Sequence, residues 1–232
     1  MTERAASLKQ SVIRSAIGLA LFAAVTGGAI AVTQSLTADR IRTQAAKAEA
    51  QALLDIVPGE HRAGRLLQDT VTLPASPAIG TGGPIIAWVA RDGGSPTAMV
   101  LPVTAPDGYS GNIRLLVGVD PDGTLLGVRV TRHQETPGLG DKIEVRKSDW
   151  VEGFVGRSLD NTTPNQWHVR KDGGVFDQFT GATITPRAVV AAVHNALLYV
   201  RDQRPAILAR LNAPGGQPDA TDTTPPPEAS DP

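Results

Sequence analysis

The hydrophobic positions of this chain fall into three regimes. The first is a single long apolar run near the N-terminus. No residue from Ser15 to Ala38 is charged, and Ala16 to Val32 is almost wholly Ala, Gly, Leu, Ile, Val and Phe. With its polar flank this run spans about 20 residues, enough for a helix to cross the ~30 Å hydrocarbon layer. Arg4, Lys9 and Arg14 precede it against one acid, Glu3. That bias places the N-terminus in the cytoplasm and everything after Asp39 outside, which for a bacterial cell inner membrane is the periplasm. Ala29-Ile30-Ala31 has the form of a small-x-small cleavage site. The run is longer than the apolar region of a signal peptide, so a retained anchor is expected.

The second regime begins at Asp39. Residues 43–57 are rich in Ala, Gln, Lys, Glu and Leu, strong helix formers, and Pro58-Gly59 ends the segment. It reads as a helical stalk. Residues 59–84 are Pro-, Gly- and Thr-rich, and predict loop with one short strand. Apolar, β-branched runs then predict strands over 85–90, 97–103, 112–119 and 124–131. Asp120-Pro121-Asp122-Gly123 has the chemistry of a hairpin turn.

The third regime mixes short elements. A short helix is expected over 147–154, a strand over 166–170 and a turn at 171–174. A helix follows from Pro186 to about Gln203, with a break at Pro205 and one more turn through Leu211. From Ala213 the Pro/Gly/Asp/Thr composition predicts a disordered acidic tail. The expected organisation is a cytoplasmic end and transmembrane anchor (1–38), a stalk (39–58), one globular domain (59–212) and the tail (213–232). The fold class is α+β, a mixed, mainly antiparallel sheet with packed helices.

Composition narrows the chemistry. Net charge is −1 over 232 residues, with no basic stripe, so nucleic acid is an unsuitable partner. Cysteine is absent, which excludes disulfides, Cys-ligated iron–sulfur clusters and a thiol nucleophile. His61, His133, His168 and His194 are scattered without ligand spacing, so no metal site is expected. Redox chemistry would have to come from a bound organic cofactor.

Two strings stand out. Asp177-Gln178-Phe179-Thr180-Gly181-Ala182-Thr183-Ile184-Thr185-Pro186 is a hydroxyl-rich turn running into a helix start. Thr185 reads as the N-cap and Pro186 as the first helical residue. Free amides and the helix dipole there favour a phosphate. Taken by composition, the string is an ordinary capped helix. The other, His133-Gln134-Glu135-Thr136-Pro137-Gly138-Leu139-Gly140, reads by itself as a Pro-Gly turn leaving a strand. Its glycines allow close backbone approach to a flat ring. Glu135 and Thr136 offer polar groups, and Leu139 an apolar face.

Asp-x-x-Thr-Gly-Ala-Thr resembles the attachment motif of the FMN-binding domain family, at Asp177, Thr180, Gly181, Ala182, Thr183 and Thr185. His-x-Glu-Thr-Pro-Gly-Leu-Gly resembles that family's second hallmark. The resemblance implies covalent FMN in a threonine phosphoester, with Thr183 as acceptor and Thr185 as the lesser alternative. It also implies cofactor contacts from Glu135, Thr136, Leu139 and Gly140, with His133 structural. No residue of this chain is implied to be catalytic by itself.

The order anchor, stalk, sheet, loop and threonine motif is similar to the G-subunit family of the Rnf complex, from about Lys9 to Arg210. This implies an electron relay in a membrane complex that couples ferredoxin/NAD electron transfer to Na⁺ or H⁺ translocation. It implies the other Rnf subunits and a Mg²⁺-dependent flavin transferase as partners. The C subunit of a Na⁺-translocating NADH:quinone reductase shares the anchor and motif but is longer. A cofactor-free periplasmic interaction module and a stand-alone flavin reductase are the alternatives from other classes.

Overall fold

The structure is a computed structural model that describes residues 2–57, 59 and 69–211, with side chains from Val12 onward. The acidic tail expected from Ala213 and the first part of the expected 59–84 loop lie outside the described residues.

Helix α1 runs from Thr2 to Ile56 without interruption. Its large apolar residues from Val12 to Ile41 are exposed, a pattern that fits a membrane-spanning helix. The threonine hydroxyls within that stretch are internally satisfied. The hydroxyls of Thr26, Thr33 and Thr37 each donate to the carbonyl four residues back at 2.8 Å. Such back-bonding leaves none of these three hydroxyl donors free toward an apolar medium. Among the described residues this is the one helix long and apolar enough to cross a membrane.

The last turns of α1 belong to the globular body, whose five strands are β1 (Thr70–Leu73), β2 (Ile85–Asp92), β3 (Ser95–Gly108), β4 (Gly111–Val119) and β5 (Leu125–Arg132). They form one antiparallel meander in the order β1-β2-β3-β4-β5. Alternation sorts their side chains by face. Leu101 and Val103 of β3 and Leu115 and Val117 of β4 share one face. That face packs against α2 (Ile184–Asp202) through Val189, Val193, Ala196 and Leu197. A short α3 (Arg204–Leu211) adds Ile207 and Leu211.

The opposite face carries Ala90, Ala98, Val100 and Leu116, and is covered by Leu53, Ile56 and Val57. Gly118 and Gly127 are register partners beneath Ile56. A Cβ on Gly118 would lie 2.1 Å from Ile56 Cγ2, and one on Gly127 3.4 Å from Ile56 Cα. The glycine pair is the notch that seats Ile56, in the last turn of α1, on the sheet. Gly118→Ala should cost about 1–3 kcal/mol by overpacking. The check is a lower denaturation midpoint at unchanged m-value; an unmoved midpoint would mean that Ile56 does not need the notch.

Three local expectations need correction. The strand over 166–170 does not form. Instead 3₁₀ turns occupy Pro164–Gln166 and Arg170–Asp172, joined to the next segment by one parallel bridge, Val169 to Phe176. A Thr163–Gln166 capping box closes the first turn, and Gly173 at φ 88° reverses the chain after the second. The helix over 147–154 shrinks to a 3₁₀ segment, Trp150–Phe154. Helix α2 begins at Ile184, with Thr183 at the N-cap position. Thr185 is therefore a helical residue, fully buried, and Pro186 is the third helical residue. Proline is tolerated throughout the first turn because its missing N–H has no intrahelical acceptor there.

The segment leading to the threonine motif rests on aromatic packing. Phe154 stacks on Phe176 at 4.5 Å and meets Trp150 edge-on at 5.4 Å. Trp150 in turn meets Phe179 at 5.2 Å, and its indole N–H donates to the Asp177 carbonyl at 2.8 Å.

Candidate functional site

A cavity of about 320 Å³ opens where three segments meet. The β3–β4 turn contributes Tyr109, the 133–140 loop contributes Glu135, Thr136, Leu139 and Gly140, and the start of α2 contributes Gly181 to Thr185. The two sequence motifs therefore converge, although about 40 residues separate them along the chain. They touch directly, since a Cβ on Gly181 would lie 3.4 Å from Leu139 Cδ2.

Local chemistry shapes each wall. Phe179 to Ala182 is a β-turn, closed by the Ala182 N–H donating to the Phe179 carbonyl at 3.1 Å. Its third position needs positive φ and is Gly181 at 84°. In the other wall, Pro137-Gly138 turns the chain with Gly138 at φ 79°. The amides of Leu139 and Gly140 donate back to the Thr136 carbonyl at 3.1 and 3.0 Å. Buried Asp141 accepts from the Gly138 N–H at 2.8 Å, with Lys147 at 3.6 Å from its other oxygen.

His133 is structural. Its Nδ1 accepts from the Glu135 N–H at 3.1 Å, which leaves Nε2 to donate to Glu144 at 2.9 Å. Glu135 is 4% exposed. Its carboxylate accepts from the Ser110 amide at 2.9 Å and from the Thr185 hydroxyl.

The hydroxyls therefore differ in availability. Thr185 is spent on Glu135. Thr183, half-buried at the N-cap, makes no capping hydrogen bond and has no side-chain partner among the described residues. It sits on the cavity wall beside the first amides of α2, which have no intrahelical acceptor. Those amides and the helix dipole favour an anion. Tyr109, Leu139 and Ile184 are 68%, 41% and 46% exposed around the same opening, so the rim is apolar. An anion seat next to an apolar opening suits a phosphorylated molecule with a flat apolar ring.

Two motif residues lie away from the cavity wall. Thr180 is exposed at the tip of the β-turn. Asp177 is exposed, with its carboxylate 3.2 Å from Arg170. Sequence reasoning missed Tyr109, Ser110 and Ile184. Tyr109 is one of two tyrosines in the chain and sits between Gly108 and Gly111, a pattern that could have drawn notice. Nothing in the sequence marks Ser110, whose contribution is a backbone amide.

Two other hollows lack this chemistry. A mainly apolar groove runs along α2, α3 and the 120–123 turn, with Asp122, Asp160, Arg201 and Arg204 in its lining and neither motif in it. A second hollow holds Trp167, His168, Asp172, Arg187 and His194. There Arg187 makes two 2.6 Å hydrogen bonds to Asp172, which hold that carboxyl below the usual carboxylate range. His194 stacks on Trp167 at 5.3 Å, and burial, then the nearby charges of His168 and Arg201, push its pKa down. No group of residues able to hold a metal ion occurs among the described residues.

Residues 108–198 match the model of the FMN-binding domain, and residues 1–56 match that of the RnfG N-terminal region. The chain is 48% identical over 210 residues to the G subunit of the ion-translocating oxidoreductase complex of Pseudomonas aeruginosa (strain UCBPP-PA14), covering 90% of this chain and 98% of that one. It is 46% identical over 203 residues to the protein so named in Vibrio parahaemolyticus, covering 87% and 96%. It is 49% identical over 198 residues to that of Cronobacter sakazakii, covering 85% and 94%.

Proposed function

This chain belongs to the G-subunit family of ion-translocating oxidoreductase complexes, electron-transport proteins with an FMN-binding domain, and from that premise we propose that it carries FMN covalently on Thr183. The observation that supports this reading most is the unpartnered Thr183 hydroxyl on the wall of a cavity that both motifs line. FMN supplies reversible one- and two-electron chemistry, which the protein tunes by its surroundings.

The chain's own residues do the holding. Amides of the first turn of α2 receive the phosphate, reinforced by the dipole of a 19-residue helix. Tyr109, Leu139 and Ile184 present apolar surface to the ring, and the free Thr136 hydroxyl offers a polar contact at its edge. Gly140 and Gly181 let backbone come close. In attachment, Thr183 Oγ forms a bond to the flavin-side phosphorus of FAD and gives up its hydroxyl proton. The phosphoanhydride bond breaks and adenylate leaves. We assign this step to a Mg²⁺-dependent flavin transferase. Asp177 and Gln178, exposed on the approach to Thr183, form the segment it would read.

The apolar helix anchors the chain, and Arg4, Lys9 and Arg14 orient it with the FMN domain in the periplasm of an inner-membrane complex. A covalent link keeps the cofactor where cytoplasmic FMN cannot replace it. In this reading the chain is a relay among the other Rnf subunits, within ferredoxin/NAD electron transfer coupled to Na⁺ or H⁺ movement. Protein purified from its own membrane should fluoresce under ultraviolet light after denaturing electrophoresis, and its intact mass should exceed the sequence mass by one esterified FMN. A colourless band of unmodified mass from cells with an active transferase would overturn the proposal.

A further inference from the structure

We infer that Glu135 is a positioning residue that locks the three walls of the cavity together and, by engaging Thr185, leaves Thr183 as the hydroxyl free to be modified; this rests on the reading of Thr183 as acceptor. Glu135 is 4% exposed, yet no lysine, arginine or histidine pairs with it among the described residues. A buried carboxylate without a cation is costly unless its oxygens are hydrogen-bonded. Here one oxygen takes the Ser110 amide of the β3–β4 turn at 2.9 Å and the other takes the Thr185 hydroxyl of α2. The same residue's backbone amide is tied to His133 Nδ1 in its own loop. One side chain thus joins all three segments that line the cavity.

The surroundings are trimmed to admit it. A Cβ on Gly108 would meet the Gly111 carbonyl oxygen at 2.2 Å and Ile113 at 2.9 Å, and Glu135 Oε1 at 3.0 Å, so the turn itself also demands this glycine. A Cβ on Gly140 would lie 2.9 Å from Glu135 Cβ and 2.9 Å from Thr185 Oγ1. A direct contact between Glu135 and the cofactor phosphate fits less well. The carboxylate is buried with both oxygens bonded, and its charge would repel a phosphate at the α2 N-terminus.

Two threonines two residues apart are therefore sorted by one carboxylate. Thr185 is fully buried, with its hydroxyl committed. Thr183 is half-buried with its hydroxyl free.

The test uses the full chain, made without transferase and kept in detergent, then supplied with FAD, Mg²⁺ and the flavin transferase. In-gel fluorescence gives the initial rate of incorporation, and peptide mass mapping gives the attachment site. Glu135→Leu keeps bulk but removes both acceptors. Thr185→Val keeps shape but removes the donor. Each loses a hydrogen bond to a charged group, so each should slow incorporation roughly tenfold. Glu135→Gln retains one carbonyl acceptor, for Thr185, but sets its NH2 against the Ser110 N–H, so it should recover part of the parent rate. Where circular dichroism melts show that Glu135→Leu is unfolded, Thr185→Val decides. Parent rates in the folded variants would overturn the inference while leaving the Thr183 reading intact. A parent chain that takes up no flavin, or takes it elsewhere, would instead remove the reading on which the inference rests.

Discussion

Thr183→Val is expected to abolish covalent flavin while leaving the fold in place. Valine is nearly isosteric with threonine and lacks only the nucleophilic oxygen, so no phosphoester can form at this position. The structural cost should be small, because the lost hydroxyl makes no capping hydrogen bond and is half-buried. A substitution that removes no packing and no hydrogen bond typically changes stability by no more than about 0.5 kcal/mol. Thr183→Ser, which keeps the oxygen, should still be modified. Thr180 is the informative control. Its hydroxyl is also free, but it stands exposed at the turn tip and lies off the cavity wall. Thr180→Val should therefore carry the full flavin mass. Intact-mass spectrometry of the three variants decides the matter. Flavin persisting on Thr183→Val would show that another residue is the acceptor.

Much of this arrangement is legible in the amino-acid order, and the illegible parts share a physical cause. The long apolar helix, the meander strands and α2 are specified by local patterns: one charge-free run, β-branched stretches and a helix-forming stretch after a polar turn. The stretch 166–170 misleads because Trp167 and Val169 look like a strand, whereas Trp167 is buried by packing on Phe176 and α2 and Val169 is buried where it bridges to Phe176. Among the described residues only the single bridge from Val169 to Phe176 forms there, and burial without a full ladder yields turns.

The start of α2 misleads differently. Thr185 is a good N-cap by propensity, but its hydroxyl is drawn to a carboxylate 50 residues earlier. Tertiary pairing overrides a local preference of about 1 kcal/mol. Glu135 shows the same limit. Sequence marks it as part of a cofactor loop, while its depth and its bond to Ser110 depend on a turn that no local pattern connects to it.

Phe154→Ala should be among the most destabilising single substitutions in the globular body, and it should weaken the cofactor site from a distance. The side chain is fully buried, stacks on Phe176 at 4.5 Å and meets Trp150 at 5.4 Å. Truncating a buried phenylalanine removes its transfer free energy and leaves a cavity, at a cost of about 3–5 kcal/mol. That is a large share of the ~5–15 kcal/mol that holds a domain folded. The aromatic pairs add edge-on and stacked contacts that alanine cannot replace. The loss falls on the motif because Trp150 leans on Phe154 on one side and supports Phe179 and the Asp177 carbonyl on the other. Once Trp150 can shift, the β-turn that presents Thr183 loses its backing. Urea denaturation followed by tryptophan fluorescence reads the stability, since two of the three tryptophans, Trp150 and Trp167, lie in this cluster, and in-gel flavin fluorescence reads the site. The expected result is a much lower midpoint together with slower flavin incorporation at temperatures where the variant is still folded. Phe154→Leu, which refills most of the volume, should recover most of both. A midpoint shift worth less than about 1 kcal/mol would be too small for a cavity of this kind. The threonine turn would then owe its shape to the backbone alone, namely the positive φ of Gly181 and the Phe179–Ala182 hydrogen bond, and not to the aromatic floor beneath it.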